Sequence, residues 1–287
     1  MKGLIVTADD FGAAPEVNEA VEAAHRHGIL SATSLMIGAP AAADAVSRAR
    51  RMPALRVGLH LVLVDGRPVL PAAAVARLVD AEGRLRRDLT RVGVLIAASR
   101  AARRQLAAEI TAQFAAFRDS GLALDHCNAH RHFHLHPLVA GLLCEIGPRF
   151  GLRAVRLPRE PARVLRRIEP LSRSAPDLLL GPWLLALRGR LRARGLLAPD
   201  RVFGLRWSGQ MTRARLAGLL RALPEGLTEI YLHPASGSYA GGAPEYRYRE
   251  ELEALTAPEV IGACRDPAVR LGGFVDFLPA RRYAAAA

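Results

Sequence analysis

Two carboxylates stand side by side at Asp9 and Asp10, inside the run Thr7-Ala8-Asp9-Asp10-Phe11-Gly12. Adjacent carboxylates repel unless a cation or a shared proton stabilises them, so the pair reads either as a chemical site or as a helix cap beside a solvated partner. His60 lies within the apolar stretch Val57–Val62, where a histidine is a ligand or a satisfied core residue. The most specific signal is the histidine run His130, His132, His134 and His136, which ends at Pro137. In extended chain that spacing projects the four imidazoles to one face, with Arg131, Phe133 and Leu135 on the other. Same-face neighbours on a strand lie roughly 7 Å apart, so one or two of them can ligate one ion while the others meet substrate. His233 follows the apolar run Glu229–Leu232, and Arg156 precedes Leu157-Pro158. A capping or loop histidine and an ion-paired arginine are the plainer readings of those two.

The elements that would position these residues follow from the alternation of short aliphatic runs with longer Ala/Arg/Leu segments at helical spacing, the pattern of βα units around a parallel sheet. Strands are predicted at 3–8, 32–37, 57–62, 123–129, 154–157, 202–206, 229–232 and 270–275. Helices are predicted at 16–27, 41–52, 97–119, 137–150, 212–223 and 246–263, the first opened by Pro15 and closed by Gly28. The text from 161 to 201, rich in Pro, Arg and Leu, breaks this rhythm and reads as an insertion or lid. The expected fold is α/β: one TIM-like, distorted (β/α) barrel over residues 1–287 with its active site at the C-terminal strand ends. Parallel strands bring such ends together across long sequence separations. One carboxylate and two histidines then make a facial metal site with open positions, and amide cleavage further requires a base and a proton for the departing amine.

The motifs TADDFG, GLHL, the HxHxH run, RLP and the late LHP resemble the YdjC/ChbG family of carbohydrate deacetylases over nearly the whole chain. The resemblance implies one divalent ion held by Asp10, His60 and His130; such donors accept Zn, Mg, Mn, Co or Fe, with Mg or Zn expected. It further implies Asp9 as general base, His233 as proton donor, and His132, His134 and Arg156 near an N-acetylated amino sugar. The pattern departs at Asn128-Ala129, where family members commonly read Asp-Ser before the first histidine. NAHRHFHLHP and TADDFGAAPEVNEAV are most similar to the hopanoid-biosynthesis branch, which implies an acetylglucosamine head group on a lipid. The rival readings are another metal-dependent hydrolase on the same barrel, since a fold does not set the scissile bond, and a basic module that binds membrane or nucleic acid.

Composition bounds these readings. The 287 residues are 51% hydrophobic and 23% charged, which describes a globular chain. The net charge of +13 would favour polyanions, but all basic residues except Lys2 are arginines scattered along the chain, so no nucleic-acid partner is expected. Three cysteines without CxxC spacing argue against a disulfide framework and for a reducing cytoplasm. Gly3–Thr7 is too short for a signal-peptide core, and the apolar stretch Leu178–Leu187 is too short to cross a bilayer. Leu178–Leu197 nonetheless joins apolar residues and Trp183 to Arg188, Arg190, Arg192 and Arg194. It reads either as a peripheral contact with an anionic inner-membrane surface or as a buried helix followed by a basic turn. The sequence leaves the oligomeric state unread.

Overall fold

A computed structural model describes residues 1–170 and 176–279. Its centre is β1 (Lys2–Phe11), whose Leu4, Ile5 and Val6 are fully buried, as expected for a strand covered on both faces of a parallel sheet. The helix α1 (Pro15–His27) starts on Pro15 and turns Val17, Ala20, Val21 and Ala24 inward. There follow β2 (Ala32–Leu35), α2 (Ala42–Arg50), β3 (Arg56–Leu61), α3 (Leu89–Ala98), α4 (Arg100–Asp119), β4 (Leu124–Ala129) and α5 (Pro137–Ile146). The chain continues through α6 (Ala162–Leu165), α7 (Pro176–Ala193), β5 (Arg201–Phe203), α8 (Arg213–Arg221), β6 (Gly226–Leu232), α9 (Tyr248–Thr256), α10 (Pro258–Cys264) and β7 (Val269–Leu271).

The strands pair in parallel in the order β4-β3-β2-β1-β6-β5, and β7 joins Lys2–Leu4 of β1. The result is a curled α/β sheet, a half-barrel, which supports the distorted barrel expected but has seven strands rather than eight among the described residues. The predicted strand 154–157 supplies only two isolated bridges, Cys127 with Val155 and Ala154 with Leu197. Pro158 and Pro161 lie just beyond it and have no N–H with which to extend a ladder. The remaining gap is spanned by single backbone bonds such as Val202 N–H to the Arg159 carbonyl at 2.9 Å. The predicted helix 97–119 splits at Ser99, whose side chain caps α4 by accepting from Ala102 N–H, and Pro258 divides 246–263 into two helices.

Two bulges shape the upper sheet. Between Ala8 and Phe11, β1 spends three steps against two of β2, so β1 runs through Asp9 and Asp10 rather than stopping before them. In β4 the register slips between Val57 and Leu59 of the facing strand, and the displaced His126 ring lies over Gly58. Bulges re-aim side chains where a ladder would alternate them strictly. A Cβ on Gly58 would fall 2.5 Å from that ring. The ring cannot yield, being stacked on Phe274 at 4.1 Å and bonded to Asp125 at 2.9 Å. Gly58→Ala is therefore expected to destabilise the fold by about 1–3 kcal/mol, read as a lower urea midpoint; an unchanged midpoint would show that the ring has room to move.

Residues 171–175, within the stretch expected to form an insertion, lie outside the described residues. Helix α7, which follows them, turns Leu184, Leu187 and Leu191 into the core. Arg188 is bonded to Asp200, Arg190 lies 5.3 Å from the Trp183 ring, and Arg194 donates to the Cys144 carbonyl at 3.1 Å. Among the described residues no helix is long and apolar enough to cross a membrane. The excursion 62–88 between β3 and α3 is pinned from below: buried Glu109 accepts from Val69 and Leu70 N–H, and Gln113 bonds both backbone groups of Val62.

Candidate functional site

The upper ends of β1, β3, β4 and β6 surround a cavity of about 620 Å³, lined by Asp9, Asp10, His60, His130, His132 and His233 together with Tyr231, Tyr239 and Tyr246. Asp10 sits in the β1 bulge with a left-handed backbone, φ +64°, a conformation that costs an ordinary residue about 1 kcal/mol or more. Its Oδ1 lies 3.3 Å from His60 Nε2 and 3.5 Å from His130 Nδ1.

His60 belongs to β3, directly across from Asn128 of β4 in the ladder. Its Nδ1 is 2.8 Å from Asn128 Oδ1 and 3.0 Å from Ser34 Oγ. Asn128 donates its amide nitrogen to Asp9, which leaves Oδ1 as the acceptor. Nδ1 of His60 therefore carries the proton, and Nε2 points its lone pair toward Asp10. Asp10 Oδ1 and His60 Nε2 are buried without a hydrogen-bond partner, an expensive arrangement for polar atoms unless a cation or proton fills it. One ligand atom from each of Asp10, His60 and His130 lies within 4.8 Å of the others. An oxygen and two imidazole nitrogens so arranged are compatible with a divalent ion.

Asp9 has the opposite surroundings. Arg156 grips both its oxygens, at 2.5 and 2.9 Å, and Ser34 and Asn128 donate to Oδ1 at 2.8 and 3.0 Å. Burial works to raise the Asp9 pKa, but the Arg156 guanidinium, helped by His60 and His233, outweighs it and holds the carboxyl well below the usual range. Arg156 is itself buried, donates also to Glu229 at 2.7 and 2.9 Å, and packs 4.3 Å from the Tyr231 ring centre. It stands behind Asp9 and is not part of the cavity lining.

The histidine run is not extended. Residues 130–135 form a 3-10 turn in which Arg131 (φ 53°) and His132 (φ 54°) are left-handed, because the chain must reverse within a few residues from β4 into α5. The imidazoles therefore diverge. His130 faces Asp10, and His132 Nε2 is 3.1 Å from the Tyr231 hydroxyl in the cavity wall. His134 is buried with Nε2 3.0 Å from the Arg156 carbonyl, away from the lining. His136 caps α5 by accepting from Leu138 N–H. Trp183 of α7 fastens the turn by donating to the Leu135 carbonyl at 2.9 Å.

Across the cavity, His233 lies between the rings of Tyr231 and Tyr246, with centroids at 5.6 and 5.0 Å. Burial lowers its pKa; Asp10 and Asp9 pull the other way without reversing the shift, so the ring is neutral at neutral pH. A family model described as YdjC-like protein matches residues 3–266. This chain belongs to the YdjC-like protein family. A carbohydrate deacetylase of Geobacillus stearothermophilus is 30% identical, covering 95% of this chain and 97% of its own length. The mouse carbohydrate deacetylase is 33% identical over 89% of this chain and 88% of its own. A crystal structure from Enterococcus faecalis V583, of a protein provisionally named for cellobiose-phosphate cleavage, superposes with a TM-score of 0.74 at 23% identity, covering 97% of this chain and 99% of that one. It shows that the two share a fold.

Several residues of this YdjC-like site carry no motif of their own. Ser34 and Asn128 tie His60 to Asp9. Asn128, the position where the chain departs from the family pattern, partners His60 and Asp9 and not His130. Glu251 of α9 accepts from the His233 and Met211 backbone N–H groups, and burial pushes its carboxyl up to about 8 despite those donors. An acid whose folded pKa exceeds its unfolded value weakens the fold as pH rises, here from near 4.5 to near 8, by up to about 1.4 kcal/mol per unit. The stability gap between wild type and Glu251→Gln should therefore narrow over that range in urea titrations; a constant gap would mean that Glu251 is ionised throughout.

Proposed function

We propose that this chain is a metal-dependent hydrolase that removes the acetyl group from the nitrogen of an acetylated amino sugar. The observation that carries the reading is the cluster Asp10, His60 and His130, with its unpartnered buried atoms, opening into the same cavity as Asp9, His132 and His233. The relatives named carbohydrate deacetylases, which match almost end to end, support the substrate class. A bound Mg or Zn ion would polarise the amide carbonyl and make water a nucleophile near neutral pH.

The chain's own groups divide the remaining work. Asp9, kept ionised by Arg156, accepts the proton that the attacking water gives up, and Ser34 and Asn128 hold it in place. The proton taken up by Asp9 is passed on to the departing nitrogen through His233 on the opposite wall, whose neutral ring accepts it on one nitrogen as it donates from the other. His132, oriented by Tyr231, binds a polar group of the sugar, while Tyr239 and Tyr246 offer faces for the ring. Arg156 and His134 serve from behind the wall. The finer reading is a lipid-borne acetylglucosamine, such as a hopanoid head group, reached at a membrane surface; it rests on the resemblance of the DD and histidine motifs.

The test is mass spectrometry of acetylated glucosamine, its oligomers and its lipid glycosides after incubation with the chain and each divalent ion in turn. Loss of one acetyl group that stops on adding a chelator is expected. Cleavage of a different bond, or none in any substrate with any ion, would overturn the assignment.

A further inference from the structure

A second cavity of about 610 Å³ adjoins the first and shares Asp10, Asp65, Arg87, His130, Tyr239 and Gly241 with it, so the proposed reacting position lies where the two meet. Its lining differs in kind. One wall is apolar, made by Met36, Ala39, Pro40 and Val62 from the ends of β2 and β3. The excursion beyond Val62 supplies another wall, with Arg67 and Arg84, both exposed, in the lining. Arg87 of that wall is paired with Asp65 at 2.8 Å, whereas neither Arg67 nor Arg84 has a carboxylate partner among the described residues. The wall is built rather than loose, since Glu109 and Gln113 anchor its start and an antiparallel bridge joins Val79 to Leu85.

An apolar surface lining the same cavity as two guanidiniums without a carboxylate partner matches a ligand that carries both a hydrocarbon and a phosphate-class anion. We propose that this second cavity is the subsite for the group attached to the sugar: a hydrocarbon lies along the Met36–Val62 wall, and an anionic phosphate sits at Arg67 and Arg84. The inference rests on the deacetylase reading and extends it to the part of the substrate beyond the sugar ring. The phosphate belongs either to the substrate, as a phosphodiester link, or to a neighbouring lipid of an anionic bilayer.

The first experiment is a calorimetric titration of the full chain with n-octyl phosphate under chelator, so that no ion at Asp10 can hold the phosphate. Octyl phosphate is expected to bind roughly tenfold or more tightly than inorganic phosphate, and to lose most of that affinity in Arg67→Gln/Arg84→Gln. Equal affinity of the two ligands, or equal binding by the variant, overturns the subsite.

The second experiment compares kcat/KM for methyl N-acetylglucosaminide, the octyl phosphodiester of N-acetylglucosamine, and dodecyl N-acetylglucosaminide in phosphatidylglycerol or phosphatidylcholine vesicles. A gain with the soluble phosphodiester assigns the anion to the substrate, and a gain confined to phosphatidylglycerol assigns it to the bilayer. Either gain should shrink in the double variant. Acetate release from the methyl glycoside with no gain in either arm leaves the deacetylase reading standing and removes the subsite. Tight octyl phosphate binding with no acetate release from any sugar does the reverse.

Discussion

His60→Ala is expected to lower bound divalent ion from about one per chain to near zero and to reduce deacetylation by more than the 10–100-fold typical of an outer-sphere partner. The ring offers Nε2 to the same point as Asp10 Oδ1 and is turned there by Asn128 and Ser34, so no neighbouring side chain replaces it. Removing Asn128 provides the internal comparison. Asn128→Ala keeps the ligand but frees its tautomer, and should fall within that 10–100-fold range while retaining metal at raised concentration. Elemental analysis of the dialysed proteins, alongside acetate release, checks both. Full metal content in His60→Ala would place the ion elsewhere.

The second large effect is at Asp9. Asp9→Asn is expected to keep the ion and lose turnover by roughly 10²–10⁴-fold, the range for a missing general base, whereas Asp10→Asn should lose the ion as well. The substitution also removes one of the two carboxylates on buried Arg156. Breaking a buried ion pair costs about 3–5 kcal/mol, so a lower melting temperature accompanies the loss, and the assay must run well below it. A variant that is folded, metal-loaded and still active would move the base to another residue.

The convergence of Asp9, Asp10, His60, His130, His132 and His233 on one cavity was legible in the sequence, because each lies at or just beyond a predicted strand and parallel strands deliver those ends to one side of the sheet. Fine placement was not. The period-two histidines suit a strand equally well, and only the need to reverse from β4 into α5 makes Arg131 and His132 left-handed and sends His134 behind the wall. Arg156 read either as an ion-paired arginine or, through the family resemblance, as a group near the substrate, and nothing in the sequence names Asp9 and Glu229 as the carboxylates that close on it. The extra residue in β1 that turns Asp9 and Asp10 into different surroundings is a register property of two strands, invisible in either alone. The distortion has a local reason: the stretch 154–157 runs into Pro158 and Pro161 and pairs only through isolated bridges. In α7, Leu184, Leu187 and Leu191 read equally as core or membrane face, and their burial depends on partners far away in the chain.

The most direct test of the metal assignment is a crystal of the chain grown with Zn or Mn and measured at the absorption edge of that metal. One anomalous peak within coordinating distance of Asp10, His60 and His130, with Asp9 still bound to Arg156, is the expected result. A peak at another set of side chains, or none at an ion concentration that supports acetate release, would contradict it.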